Sequence, residues 1–148
     1  YTTLFRSALK ITPHFHEVKS ARKKLFSDEN LRIYREYNPY SAKDTSRMMS
    51  AGAMEIYLMQ ANEQGLAKGF EKFTEMIKPG SPVICESPAL RKIVNPGVFI
   101  LMHQPENTNV KADVLAQKEL ADIYFDYIPD FGDEALQNIK FQDKTWKL

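Results

Sequence analysis

Short apolar runs separated by segments of helical spacing constrain this chain more than any other feature. MEIYLMQA, PVICES, VFILM and ADIYFDYI each have the length of one strand, and amphipathic segments stand between them. Strands that alternate with helices along nearly the whole length predict an α/β domain of three layers with a mostly parallel sheet. The first segment, TTLFRSALKI, places Leu4, Ala8 and Ile11 on one face and reads as a helix over Leu4 to Ile11, started by Thr2 or Thr3 and closed by Pro13. HEVKSARKKLF reads as an exposed amphipathic helix, with Val18, Ala21, Leu25 and Phe26 among basic residues. LRIYREYN alternates apolar and polar like a half-buried or edge strand. A helix from about Gln64 to Ile77 carries Leu66, Phe70, Phe73 and Ile77 on one face, and PVICES then fits a central parallel strand. ALRKIV gives a short helix, VKADVLAQKELA a longer one. No repeat, low-complexity segment or domain boundary interrupts the 148 residues, so one domain is expected.

The stretch KDTSRMMSAGAMEIYLM changes period at Gly52, from helical spacing to a buried strand. Asp44 can cap a helix that begins at Thr45, with Arg47 one turn along. Gly52, between two alanines, allows close packing or a positive φ where the helix ends.

Composition narrows the function classes. Net charge is +1, which provides no broad field for nucleic acid or an anionic membrane, so any polyanion site has to be local. The one cysteine, Cys85, excludes an intramolecular disulfide and a cysteine-rich zinc site, and points to a reducing cytoplasm. No apolar run approaches the ~18 residues of a membrane span, and no signal peptide is visible.

In sheets of the expected kind, ligands bind beyond the carboxyl ends of the strands. That selects Asn38, Gln60, Glu86, Ser87, His103 and Asp126. Glu86 ends an apolar run, where a carboxylate needs a cation, a donor or water. It can hold Mg²⁺ through water or orient an attacking water; equally, it can cap the turn that follows. His14 and His16 form an H-x-H pair without a third ligand nearby, which favours a structural or solvent-facing role. Cys85 lies among apolar neighbours and reads as an inert thiol, and the basic run Lys19 to Lys24 as a solvated face with a phosphate-binding role as the alternative. The kinase-like tripeptide in DFGD, Asp130 to Asp133, lacks a catalytic loop and is coincidental.

Three pieces together carry a resemblance. KDTSRMMSAGAMEIYLM resembles the segment of the molybdopterin-guanine dinucleotide biosynthesis protein B family in which a Lys-Asp-Thr/Ser-x-Arg helix runs into Ala-Gly-Ala and a strand. PVICES is similar to that family's next strand, with Ser87 where the family usually has Gly, and TTLFRSAL to the helix after a P-loop. The resemblance implies a P-loop NTPase-like fold whose N-terminal strand and P-loop lie upstream of Tyr1. It implies GTP or ATP as ligand and Mg²⁺ as cofactor, with Thr2 and Glu86 on the metal and Thr2, Thr3, Asp44 and Arg47 around the nucleotide. Glu86 is then the carboxylate that positions metal or water if the protein is a GTPase or ATPase. A cytoplasmic homodimer follows from the same resemblance, in molybdenum cofactor biosynthesis. The alternative is a member without turnover that acts as a binding or assembly module.

Overall fold

The computed structural model describes residues 6–18, 22–106, 109, 112–127 and 133–148. Contacts divide the chain into two units, Tyr1–Val94 and Asn95–Leu148. Among its described residues, the first unit holds, besides a 3-10 turn at Leu90–Lys92, five strands and two α-helices. In chain order these are β1 (Ser7–Thr12), β2 (Lys23–Ser27), β3 (Leu31–Glu36), α1 (Asp44–Ser50), β4 (Glu55–Ala61), α2 (Glu63–Met76) and β5 (Val83–Glu86). The strands form one sheet in the order β2-β3-β4-β1-β5. β4, β1 and β5 run parallel, whereas β2–β3 and β3–β4 are antiparallel.

This sheet corrects the expectation of a three-layer, mostly parallel, P-loop NTPase-like domain: half of its strand pairings are antiparallel. The segment predicted as the first helix is strand from Ser7 onward, and its Leu4 start lies outside the described residues. The error has a physical cause. β1 is an inner strand, and Ala8 on one face is as buried as Leu9 and Ile11 on the other, which masks the period of two. The basic segment expected as a helix contributes β2 instead, an edge strand whose Lys23, Lys24 and Leu25 are exposed and whose register shifts between Lys24 and Phe26. Charges and a bulge on an edge strand discourage pairing with other chains. PVICES does run parallel to its neighbour β1, yet it closes the other end of the strand order rather than its centre. β3, α1, β4 and α2 stand where the sequence places them.

Alternation divides the sheet into two unlike faces. Leu9 and Ile11, Leu31 and Ile33, Tyr57, Met59 and Ala61 point to one face and pack with Leu66 and Phe73 of α2. The register pairs Leu9 with Tyr57 and Ile11 with Met59, so these side chains lie in rows. Tyr57 and Phe73 meet edge to face at 5.3 Å between ring centres. α2 approaches so closely that a Cβ on Gly69 would lie 2.6 Å from Leu31 Cδ1 and 2.7 Å from Met59 Sδ. Asn62 starts α2 by accepting a hydrogen bond from the Gly65 amide at 3.0 Å.

The opposite face carries α1. Its C-terminus folds back through Gly52, at φ 103°, with the Gly52 amide donating to Met49 O and the Ala53 amide to Met48 O. That pair of bonds is a Schellman motif, and the left-handed residue it requires is the glycine at which the sequence changes period. The chain then enters β4 beside Arg6, whose carbonyl accepts from Met54. α1 therefore runs back toward the start of β4. At about 1.5 Å per residue its seven residues span roughly 10 Å, whereas strands of six or seven residues span about 20 Å. Among the described residues of this unit, no helix covers the other half of that face. α2, with fourteen residues, matches the full strand length on the other side.

The second unit contains a parallel pair, β6 (Ile100–His103) with β7 (Ile123–Asp126), a short helix α3 (Ala112–Ala116), and a hairpin of β8 (Lys140–Gln142) and β9 (Thr145–Lys147). The hairpin turns at Asp143 and Lys144, both at positive φ (51° and 60°), the arrangement of a two-residue turn whose twist suits the strands. Phe141 meets Trp146 at 5.1 Å across it. No helix among the described residues is long and apolar enough to cross a membrane.

Candidate functional site

Where α1 stops covering the sheet, the polar positions of the strands come together. A cleft of about 180 Å³ is lined by Lys10 and Thr12 of β1, Leu58 of β4, Lys43, Asp44 and Thr45 at the start of α1, and His16 and Arg22 from the chain between β1 and β2. Its floor follows from register. Lys10 pairs with Leu58 and with Glu86, and Thr12 with Gln60, so these residues share the half-covered face at the carboxyl ends of the parallel strands.

Lys10 links β1 to α1 and β5. Its ammonium lies 3.0 Å from Asp44 Oδ2 and in closer contact with Glu86 Oε1. Burial works against this charge, but the hydrogen bonds and fields of Glu86 and Asp44 outweigh burial and hold the ammonium above its usual value. Arg22 is fixed more deeply. Its Nε donates to Glu36 Oε2 at 2.5 Å and its Nη2 to Thr45 Oγ1 at 2.8 Å, and the Arg22 and Glu36 side chains are 4% and 3% exposed. The Thr45 hydroxyl donates to Glu36 Oε2 at 3.0 Å, and the amides of Tyr37 and Asn38 donate to Oε1. Burial disfavours the Glu36 carboxylate, yet the Asn38 amide, Arg22 and Thr45 prevail and lower its pKa. Gln60, fully buried beside Thr12, donates its amide to His16 O at 3.0 Å, which ties the chain after β1 to the sheet.

The residues singled out from sequence fare unequally. Asp44 and Glu86, 42 positions apart, converge on one lysine. Asp44 is the first residue of α1 rather than its cap; Lys43 takes the cap position without a side-chain hydrogen bond. Arg47 is exposed and does not line the cleft. Thr2 and Thr3 lie outside the described residues, as do Asp130 and most of DFGD. Burial first, then the nearby Glu86, pushes the Cys85 thiol up to about 12, so little thiolate forms at neutral pH. His103 and Asp126 meet in the second unit, Nδ1 to Oδ1 at 2.8 Å, at paired positions of β6 and β7.

Lys10 was the principal residue that sequence reasoning missed. Once SALKIT is read as a strand, Lys10 is the lone charge on a buried segment, and such a charge needs partners. Arg22 was hidden in a run of lysines, of which Lys23 and Lys24 are merely the exposed edge of β2.

Asp44 and Glu86 make two carboxylates, and no group of three His, Cys, Asp or Glu side chains fit to hold a metal occurs among the described residues. Comparison with protein-family models, curated proteins and solved structures returned no match.

Proposed function

We propose that the first unit binds a phosphate-bearing ligand of the nucleoside triphosphate kind, ATP or GTP with Mg²⁺, through the half-covered face of its sheet. The observation that carries this reading is the convergence of Lys10, Arg22, Lys43 and His16 on one cleft at the carboxyl ends of parallel strands. Lys10 and Arg22, although paired with carboxylates, bring their cationic groups to the cleft together with Lys43, which favours an anion. The cleft is smaller than the ~300–1,000 Å³ of an enclosing ligand pocket, so it takes the phosphate end and leaves the rest of the ligand outside.

Binding without turnover is the better supported form of this reading. Glu86, the carboxylate expected to position metal or water, is engaged by Lys10. A cytoplasmic binding or assembly module that responds to nucleotide fits that state.

Thermal unfolding with ATP or GTP, each with Mg²⁺ and with EDTA, tests the proposal. A ligand bound only by the folded chain adds about 2.7 kcal/mol at ~100 times its Kd, an easily read rise in Tm. Lys10→Met should remove that rise, and Glu86→Gln should shrink the difference between Mg²⁺ and EDTA. No rise with either nucleotide in either medium contradicts the assignment.

A further inference from the structure

The cleft is basic by residue type and nearly neutral by pairing. Arg22 is matched by Glu36, and Lys10 by two carboxylates at once. The two pairings differ in what happens when they open. Arg22 and Glu36 are almost wholly buried, so separation would leave both charges without water. Lys10 is 22% exposed, but Asp44 and Glu86 are 45% and 53% exposed, so water takes over both carboxylates once the ammonium turns away. Lys10 is thus the exchangeable cation and Arg22 the fixed one.

We propose that Asp44 and Glu86 form an electrostatic gate: they occupy Lys10 in the empty cleft, and an incoming polyanion has to take the ammonium from them. This rests on the anion-binding reading above and adds to it the claim that two residues placed in the site weaken it. An ordinary binding role for the carboxylates predicts lost affinity when they are neutralised; the gate predicts gained affinity for an anion that brings no metal. Their like charges also oppose any anion drawn toward Lys10, in the same sense.

The test is calorimetric titration of inorganic pyrophosphate in EDTA into the whole chain and into Asp44→Asn/Glu86→Gln. The gate predicts binding about tenfold tighter in the double variant. Two further variants separate the gate from a general change of charge. Glu71→Gln/Glu75→Gln makes the same change of net charge on exposed positions of α2 and should leave affinity within about twofold of the wild type. Lys10→Met added to the double variant should abolish the gain. Circular dichroism and Tm of each variant establish that the fold is retained, and either single substitution replaces the double one if it is not. Equal affinity in wild type and double variant, an equal gain in the α2 control, or a gain that survives Lys10→Met each overturns the gate. If the wild type still binds Mg²⁺–nucleotide under any of those results, the anion site stands without its gate. If neither protein binds pyrophosphate or nucleotide, both fall.

Discussion

The two faces of the five-stranded sheet are built from alternate residues of the same strands, yet they differ: the first is apolar, whereas the second mixes buried Ala8, Tyr34, Ile56 and Leu58 with charged and polar side chains. One carries Leu9, Ile11, Ile33, Tyr57 and Met59 under a helix as long as the strands. The other carries Lys10, Thr12, Glu36, Leu58 and Gln60, only half under a helix of two turns. Stability resides mainly on the first face, where contact is apolar and complete. The second keeps a cleft of about 180 Å³ beside its shorter covering helix. What separates scaffold from site is thus the length of a helix and the parity of a strand position.

Substitutions on the two faces should separate accordingly. The largest effect is expected from Phe73→Ala, which removes a fully buried ring from α2 and should cost about 3–5 kcal/mol, read by urea or thermal unfolding. Its effect on nucleotide affinity, measured above the ligand's Kd on the folded fraction, should be small. A loss of binding as large as the loss of stability would break the division.

Arg22→Ala comes close behind at about 3–5 kcal/mol, because it leaves the Glu36 carboxylate buried and uncompensated. Arg22→Met with Glu36→Leu should recover most of that stability, as apolar replacement of a buried pair often does. Recovery of fold without recovery of ligand binding would sharpen the contrast: the pair would be needed for the site and dispensable for the sheet.

Glu36 also sets a pH dependence. Its folded pKa lies below the ordinary 4.5, so its contribution is present above that value and lost as pH falls through the folded pKa. Wild type should therefore lose more stability than Glu36→Gln does as pH falls from 5 toward the acid limit. Parallel acid curves for the two proteins would contradict the pairing. Lys10 acts in the reverse sense at the other end of the scale. Its raised pKa contributes stability fully present below 10.5 and lost as pH rises through the folded value, an effect that Lys10→Met should erase.

The smallest effect concerns Cys85, whose thiol faces the apolar side of the sheet. With its pKa pushed up to about 12, alkylation at pH 8 should run far more slowly than for a free thiol and reach the free rate only on unfolding. Fast labelling of the native chain would mean that this edge of the apolar face is open.

How far the sequence was legible follows the same division. Elements with a local pattern were readable: β3 by its alternation of apolar and charged residues, α2 by its apolar stripe, α1 and Gly52 by the change of period. β1 was not, because Ala8 on one face is as buried as Leu9 and Ile11 on the other, and Leu4, Ala8 and Ile11 also happen to fit a helical spacing. β2 was hidden by charge, since an edge strand protected with lysines looks like a solvated helix. The same two errors concealed the site. Asp44 and Glu86 could be picked out at element ends, but the lysine that joins them sits in the strand read as a helix, and Arg22 precedes the strand read as another. The antiparallel pairing of β3 with β4 had no local signal at all, because a connection through α1 is compatible with either direction.

The most direct test of the two-faced account is an amide NMR titration of the chain with Mg²⁺–ATP and Mg²⁺–GTP. Shifts concentrated at Lys10, Thr12, Lys43, Asp44, Thr45 and Leu58, with Leu66, Phe73 and Met76 of α2 unmoved, are the predicted result. No shifts at saturating nucleotide, or shifts centred on α2, would contradict it.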